Sequence, residues 1–325
     1  MVGRGKAIDR DPSGRRTVMA APADVGEAGP ALVTVVIPTL NRPQTAREAI
    51  RSALDQVGVQ ARLLISDNCS EARFDAAYAE LFASLPAQAR VLRQPERLAV
   101  EDHFPRLLAL VDTRYVVLLA DDDTLAPWFL ARAIALAAER QAGSVFGPYR
   151  ADRQRTGRSQ THDFDYTHRS TMLRAVHFLC RRNDAFIYGL FRTELLREAM
   201  KEFRPLRVLG RQTLIRIAYT PLFACLLAAP YAHVAGEPVW INAADSVKSQ
   251  AYLGDNKVRK LVELVLGEWV LAARFLRVAR SRGGLGFAFA LAPVIAAMAA
   301  FHCLAFSLMA LRRLFAAVTA RSQRT

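Results

Sequence analysis

The feature that most constrains this chain is a pattern in its first half. Short apolar, β-branched runs end abruptly in polar clusters. Leu32 to Ile37 is closed by Pro38 and enters Thr39-Leu40-Asn41-Arg42-Pro43; Arg62 to Ser66 enters Asp67-Asn68-Cys69-Ser70; Tyr115 to Leu119 enters Asp121-Asp122-Asp123. Runs of this kind read as buried strands. Helical spacing lies between them. Ala46, Ala49, Ile50, Ala53 and Leu54 make one apolar face behind Pro43, which suits a first helical turn. Further helices are expected from Phe74 to Ala83, from His103 to Val111, and after Pro127 with Trp128, Leu130, Ile134 and Leu136; Ala89 to Leu92 reads as another strand. Such alternation predicts an α/β domain with a mostly parallel sheet flanked by helices on both faces. Ligands of such sheets bind beyond the carboxyl ends of the strands, where all three polar clusters fall.

The second half carries a weaker pattern. Arg150 to Arg158 is polar and basic and reads as an exposed loop. Phe186 to Phe191 reads as a strand, with a helix from about Thr193. Leu214 to Val234 is apolar but interrupted by Arg216, Pro221 and Pro230, which favours a buried helix and turn over a membrane span. Asp255 to Arg280 is helical, with Leu and Val among Lys and Arg. From Gly283 to Leu311 no residue is charged, so that stretch could be a bilayer span or re-entrant helix, or else a buried core helix, although Gly283, Gly284, Gly286 and Pro293 disfavour a straight span.

Each polar cluster admits two readings. Three adjacent carboxylates repel one another unless a cation or well-placed donors hold them, and a divalent ion bridging to a diphosphate would do so; alternatively, Asp121, Asp122 and Asp123 are an acidic cluster favoured at a helix N-terminus. Asp67 could accept a hydrogen bond from a nucleobase, or simply cap a turn. Thr39, Asn41 and Arg42 supply a hydroxyl, an amide and a guanidinium suited to phosphate, or form a plain turn.

The segments Val35-Val36-Ile37-Pro38-Thr39-Leu40-Asn41-Arg42-Pro43, Ile65-Ser66-Asp67-Asn68-Cys69-Ser70 and Leu118-Leu119-Ala120-Asp121-Asp122-Asp123 together resemble, in order and spacing, the motifs of glycosyltransferase family 2. The resemblance covers about Val33 to Trp128 and implies a GT-A-type fold. It implies a nucleotide-sugar donor pocket lined by Pro38, Thr39, Asn41, Arg42, Asp67, Asp121 and Asp122, with Asp67 on the base and Asp121 on the ribose side. It places Mg²⁺ or Mn²⁺ on Asp123, against the donor diphosphate. It further implies inverting transfer in one displacement, with a carboxylate deprotonating the acceptor. On this reading residues 31–150 form the nucleotide-sugar half, 151–250 the acceptor half and 251–325 the C-terminal helices, behind a disordered leader at 1–30.

The sequence departs from the family pattern where the base is expected. The comparable stretch is Leu209-Gly210-Arg211-Gln212, and Arg211 stays protonated. Asp184, Glu198 and Glu202 are the nearest acids; Asp184 is the candidate base, and a surface turn is its alternative reading. The missing acid also motivates a rival function, a non-catalytic nucleotide-sugar-binding or scaffolding protein at the membrane surface. There is no Gln-x-x-Arg-Trp motif, which favours transfer of single sugars to a glycan, cell-envelope or lipid-linked acceptor over polymer synthesis. The formal net charge of +14 is scattered, without aromatic-interleaved basic motifs, so no nucleic-acid partner is expected. Cys69, Cys180, Cys225 and Cys303 form no CxxC pair and read as reduced thiols facing cytosol or lipid. The expected location is the cytoplasm or the cytoplasmic face of the membrane, with membrane contact through 283–311.

Overall fold

A computed structural model describes residues 32–153, 158–242 and 257–322; the expected leader at 1–30 and the start of the helix at Asp255 lie outside the described residues. The buried runs form strands β1 (Val33–Thr39), β2 (Ala61–Asp67), β3 (Ala89–Arg93) and β4 (Tyr115–Leu118), paired in parallel with β1 between β2 and β4. Both faces of β1 are covered, which is why Val33, Val35, Val36 and Ile37 alternate with no polar residue except Thr34. The helices between them are α1 (Pro43–Leu54), α2 (Asp75–Ala83) and α3 (Val100–Ala109), as their periodicity requires.

Beyond β4 the chain makes β5 (Asp123–Leu125), α4 (Phe129–Glu139), β6 (Ser144–Phe146), β7 (Tyr149–Arg153), β8 (Arg158–His162), α5 (Thr171–Cys180), β9 (Leu190–Arg192), α6 (Thr193–Ala199), β10 (Leu206–Val208), β11 (Arg211–Thr213), α7 (Tyr219–Ala228), β12 (Tyr231–His233) and β13 (Trp240–Asn242). The main sheet has seven strands in the order β12-β6-β9-β4-β1-β2-β3. Strand β9 is antiparallel to both neighbours and the other pairings are parallel. A four-stranded sheet, β5-β13-β7-β8, stands beside the carboxyl end of β4. The mixed α/β, mostly parallel architecture expected from the sequence is the one observed.

Three expectations are corrected. Of the loop read at Arg150 to Arg158, residues 150–153 and Arg158 lie in an antiparallel pair, β7 with β8, and residues 154–157 lie outside the described residues. The strand read at Phe186 to Phe191 is split: Ala185–Tyr188 form a 3₁₀ turn, and only Leu190–Arg192 pair in the sheet. Cys225 faces neither cytosol nor lipid but is buried on α7, although all four thiols are free. The apolar stretch around Leu214 to Val234 does hold a buried helix, α7, followed by β12.

The last helix, α8 (Lys257–Ser322), is broken at Gly284, whose φ of 83° and ψ of 176° only glycine adopts readily. The two arms fold back on each other: the Cys303 thiol reaches the Val265 carbonyl at 3.4 Å. The first arm is fixed along the α/β domain. Arg274 donates to the carbonyls of Arg204 and Pro205, Arg277 pairs with Glu202, and the Phe275 ring packs on Phe223. The second arm turns Ala288, Leu291, Ile295 and Ala299 inward and leaves Leu285, Phe289, Phe301, Leu304 and Leu308 exposed. Leu261–Arg312 has a mean hydropathy of 2.2 in its most apolar window, and 11% of that window is buried. It is neither a straight span nor a core helix.

Candidate active site

The carboxyl ends of β1, β2 and β4 bring the three polar clusters together. Asp121 is almost wholly buried and is held from β1: Thr39 Oγ1 donates to its Oδ2 at 2.9 Å, and the Leu40 amide approaches the same oxygen at 3.4 Å. Tyr78 on α2 completes a relay. The Arg42 amide donates to the Tyr78 hydroxyl (3.0 Å), and that hydroxyl bonds Thr39 Oγ1 (2.7 Å). Because Thr39 gives its proton to Asp121, the Tyr78 proton points to Thr39. Arg42 Nη1 lies 2.5 Å from Asp122 and 3.3 Å from Asp121, so one guanidinium offsets the charge of two carboxylates. Asp123 begins β5 and is 1% exposed; it is placed by the antiparallel pairing of β5 with β13. The acidic residues therefore do not form a helix N-terminal cluster: α4 starts at Phe129.

Asp67 sits at the end of β2 with no exposure, its Oδ1 accepting from the Ser70 amide (2.9 Å) and hydroxyl (2.6 Å). The turn-capping reading of Asp67 is thus realised. Its Oδ2 faces Arg93 Nε at 3.3 Å without an aligned hydrogen bond. Asn41, with a left-handed φ of 58°, exchanges side-chain and main-chain hydrogen bonds with Glu71, so it ties the first two turns together. Behind Asp67 lies a buried polar network: Ser66 Oγ bonds His103 Nε2 (2.9 Å) and accepts from Gln94 (3.2 Å). Burial, then the nearby Arg106 charge, lowers the His103 pKa to about 4, so its ring is neutral at neutral pH.

Across from the carboxylates stands an aromatic wall. Tyr188 stacks on Trp240 with ring centroids 4.8 Å apart, and Trp240 meets Tyr149 at 5.2 Å. Burial raises the Tyr188 pKa far above its ordinary value, reinforced by the negative field of Asp123, Asp184, Asp122 and Asp121. Tyr188 is therefore a neighbour common to the acidic cluster and Asp184. Asp184 opens the 3₁₀ turn and is solvent-accessible, yet protein crowds it closely enough that desolvation raises its pKa. Asp184 thus keeps both readings, a candidate base and a residue of an exposed turn. The other acids point elsewhere. Glu198 pairs with Lys201, which lowers its pKa, and Glu202 pairs with Arg277 on α8. The Leu209-Gly210 turn joins β10 to β11 with both residues at positive φ, and Arg211 is exposed.

A family model for glycosyl transferase family 2 matches residues 34–202, just over half of the chain. The chain belongs to glycosyl transferase family 2. The match contains the three polar clusters, Tyr188 and Asp184, but not Trp240 or the Leu209-Gly210 turn. No curated protein matches this family 2 chain by sequence. Its fold is similar to that of S. aureus TarS 1–349 in complex with UDP-GlcNAc, at 14% identity and a TM-score of 0.54, over 76% of this chain and 70% of that one. TarS 1–349 without a named ligand aligns at 15% identity and a TM-score of 0.50, over 77% and 72%. The chain spans 43% of the longer S. aureus TarS structure, at 14% identity and a TM-score of 0.48 over 75% of its own length. The two likenesses to TarS 1–349 establish the fold as that of GT-A glycosyltransferases.

Among the described residues, no three His, Cys, Asp or Glu side chains converge as a protein-only metal cage. That donor set still fits Mg²⁺ or Mn²⁺, hard cations that one or two carboxylates hold together with water and substrate phosphates. Sequence reasoning missed Tyr78, Tyr188, Trp240, Arg93 and His103. Only Tyr188 had a local signal, its place four residues after Asp184.

Proposed function

We propose that this chain is a metal-dependent, inverting glycosyltransferase that moves one sugar from a nucleoside-diphosphate donor to a glycan, cell-envelope or lipid-linked acceptor. The observation that carries this is the convergence of Thr39, Arg42, Asp67 and Asp121 to Asp123 at the ends of β1, β2 and β4. Pro38, Thr39 and Asn41 shape the nucleotide pocket, Asp67 faces the base and Asp121 the ribose. Arg42 exchanges its carboxylate partners for donor phosphate, with Asp122 beside it. Asp123 holds Mg²⁺ or Mn²⁺ against the diphosphate, and the metal supplies charge neutralisation to the leaving group. Asp184 removes the acceptor proton. Its raised pKa makes it a stronger base than an exposed carboxylate.

The same reading assigns the second arm of α8 to a membrane surface. Its outward face is apolar, and the first arm is held by the α/β domain, so the hairpin lies in the plane of the bilayer. On this proposal the enzyme works in the cytoplasm or at the cytoplasmic face of a membrane, beside an embedded acceptor.

A nucleotide-release screen over UDP-GlcNAc, GDP-mannose and other donors, with and without Mn²⁺, tests the assignment. Metal-dependent release with wild type, and none with Asp123→Asn, is expected. Donor binding without turnover across an acceptor panel would replace the enzyme with a nucleotide-sugar-binding protein.

A further inference from the structure

The interface between the first arm of α8 and the α/β domain contains a buried charge cluster that the reaction outlined above does not use. Glu268 on α8 is 1% exposed; its Oε2 accepts from Arg182 Nη2 at 2.9 Å, and its Oε1 is ion-paired with Arg216 Nη1 at 2.7 Å without an aligned hydrogen bond, the two arginine side chains being 5% and 9% exposed. Glu268 is the carboxylate within salt-bridge distance of both. A buried pair of this kind contributes little net stability over an apolar replacement, yet fixes the groups it joins. Arg216 is moreover held at φ 64°, a left-handed conformation costly for an arginine.

What Arg182 carries gives the cluster its meaning. It lies two residues before Asp184, and Asn183 between them donates to the Tyr149 hydroxyl (3.3 Å) and accepts from the Ala185 amide (2.7 Å). The Arg182 guanidinium lies 5.5 Å from the Tyr219 ring and 5.9 Å from that of Phe275, pinned between α7 and α8. The segment from Arg182 to Tyr188 has main-chain hydrogen bonds of its own, Asp184 O accepting from the Ile187 amide at 3.0 Å. It is tied to α8 through Arg182, by the ion pair with Glu268 and the contact with the Phe275 ring.

We infer that Glu268 is a positioning residue for the acceptor side of the site: through Arg182 it holds the 182–188 turn, and with it Asp184, in place. The C-terminal hairpin is thus part of the active-site scaffold as well as an attachment device. The inference rests on the assignment of Asp184 as base, and its test separates the two.

The full chain is prepared in detergent as Arg182→Met, Arg216→Met, Glu268→Gln and Asp184→Asn. Hydrogen exchange of 183–189 is followed by mass spectrometry, with the 67–70 and 121–125 segments as internal references. Arg182→Met keeps the Glu268–Arg216 pair and is expected to raise exchange in 183–189 about tenfold or more, with the references unmoved. Arg216→Met makes an equal insult to the same glutamate but leaves 183–189 protected. With UDP-GlcNAc as the probe, Arg182→Met lowers kcat about 100-fold, the scale of a misplaced catalytic group, with donor KM unchanged; Glu268→Gln does the same. Unchanged exchange in Arg182→Met, or equal effects of Arg182→Met and Arg216→Met, overturns the inference. The exchange result decides even if UDP-GlcNAc is not turned over. An inactive Asp184→Asn beside a fully active Arg182→Met sinks the positioning role alone. A fully active Asp184→Asn sinks the base assignment instead.

Discussion

Consider the pH dependence that His103 imposes on the nucleotide half of the site. The ring is 2% exposed, bonded to Ser66 on β2 and packed at an edge with Phe104. Burial and Arg106 on its own helix disfavour its cation more than Asp67 favours it, so the pKa falls from 6.5 to about 4 on folding. The folded state then binds fewer protons than the unfolded chain between these values. His103 therefore costs no stability above pH 6.5, and its contribution is lost as pH falls through 6.5 toward 4. At pH 5 the loss relative to pH 8 is about 2 kcal/mol, and it approaches about 3 kcal/mol at lower pH. Denaturant unfolding of wild type and His103→Gln at pH 8 and pH 5 measures it. Other carboxylates titrate in both proteins, so the difference between the two pH slopes isolates the ring. Wild type should lose about 2 kcal/mol more than the variant. Equal slopes would refute the argument, because they would mean that the imidazole takes its proton without leaving its buried network.

Four further outcomes follow from the geometry. Desolvation of Asp184 places the acid limb of the kcat/KM profile above the ordinary carboxylate range, with activity lost as pH falls; a profile flat down to pH 4 contradicts a base there. Thr39→Val removes the donor to buried Asp121 and should lower stability by about 1–3 kcal/mol, read from the denaturation midpoint, and weaken nucleotide binding. A methyl at Gly189 would stand 2.7 Å from the Val145 carbonyl and 3.1 Å from that of Phe186, so Gly189→Ala should cost about 1–3 kcal/mol and impair turnover, measured by thermal melting and nucleotide release. Gly284→Ala forces a side chain into a glycine conformation with open space around it; about 1–3 kcal/mol of strain should loosen the hairpin, seen as faster exchange in 285–311.

The first half was legible because its signals are local. Strand β1 shows a continuous apolar run, α1 an apolar face behind Pro43, and the polar clusters follow their strands within a few residues. The second half was not. Strands β7 and β8 carry Arg, Asp and Gln because they belong to a small sheet, and polar residues on short strands look like loop. Strand β9 is only three residues long, too short for a period, and is defined by its partners β4 and β6. Tyr78 owes its place to Thr39 and Arg42, far away in the chain, and nothing beside it in sequence announces that; Tyr188 had only its spacing from Asp184. The glycines at 283, 284 and 286 signalled trouble for a straight helix; that one of them folds the helix back on itself required the packing of Val265 against Cys303.

The hairpin's layering has a geometric corollary for any acceptor moored in lipid. The outer arm rests on the inner arm, and the inner arm is joined through Arg182 to the turn bearing the base. On the proposed membrane placement, with each helix adding about 10 Å, the two stacked arms would hold the turn bearing Asp184 some two helix diameters, about 20 Å, from the plane under the outer arm. On that proposal an acceptor sugar carried on a short glycan stalk would reach the site more readily than one bonded directly to a headgroup.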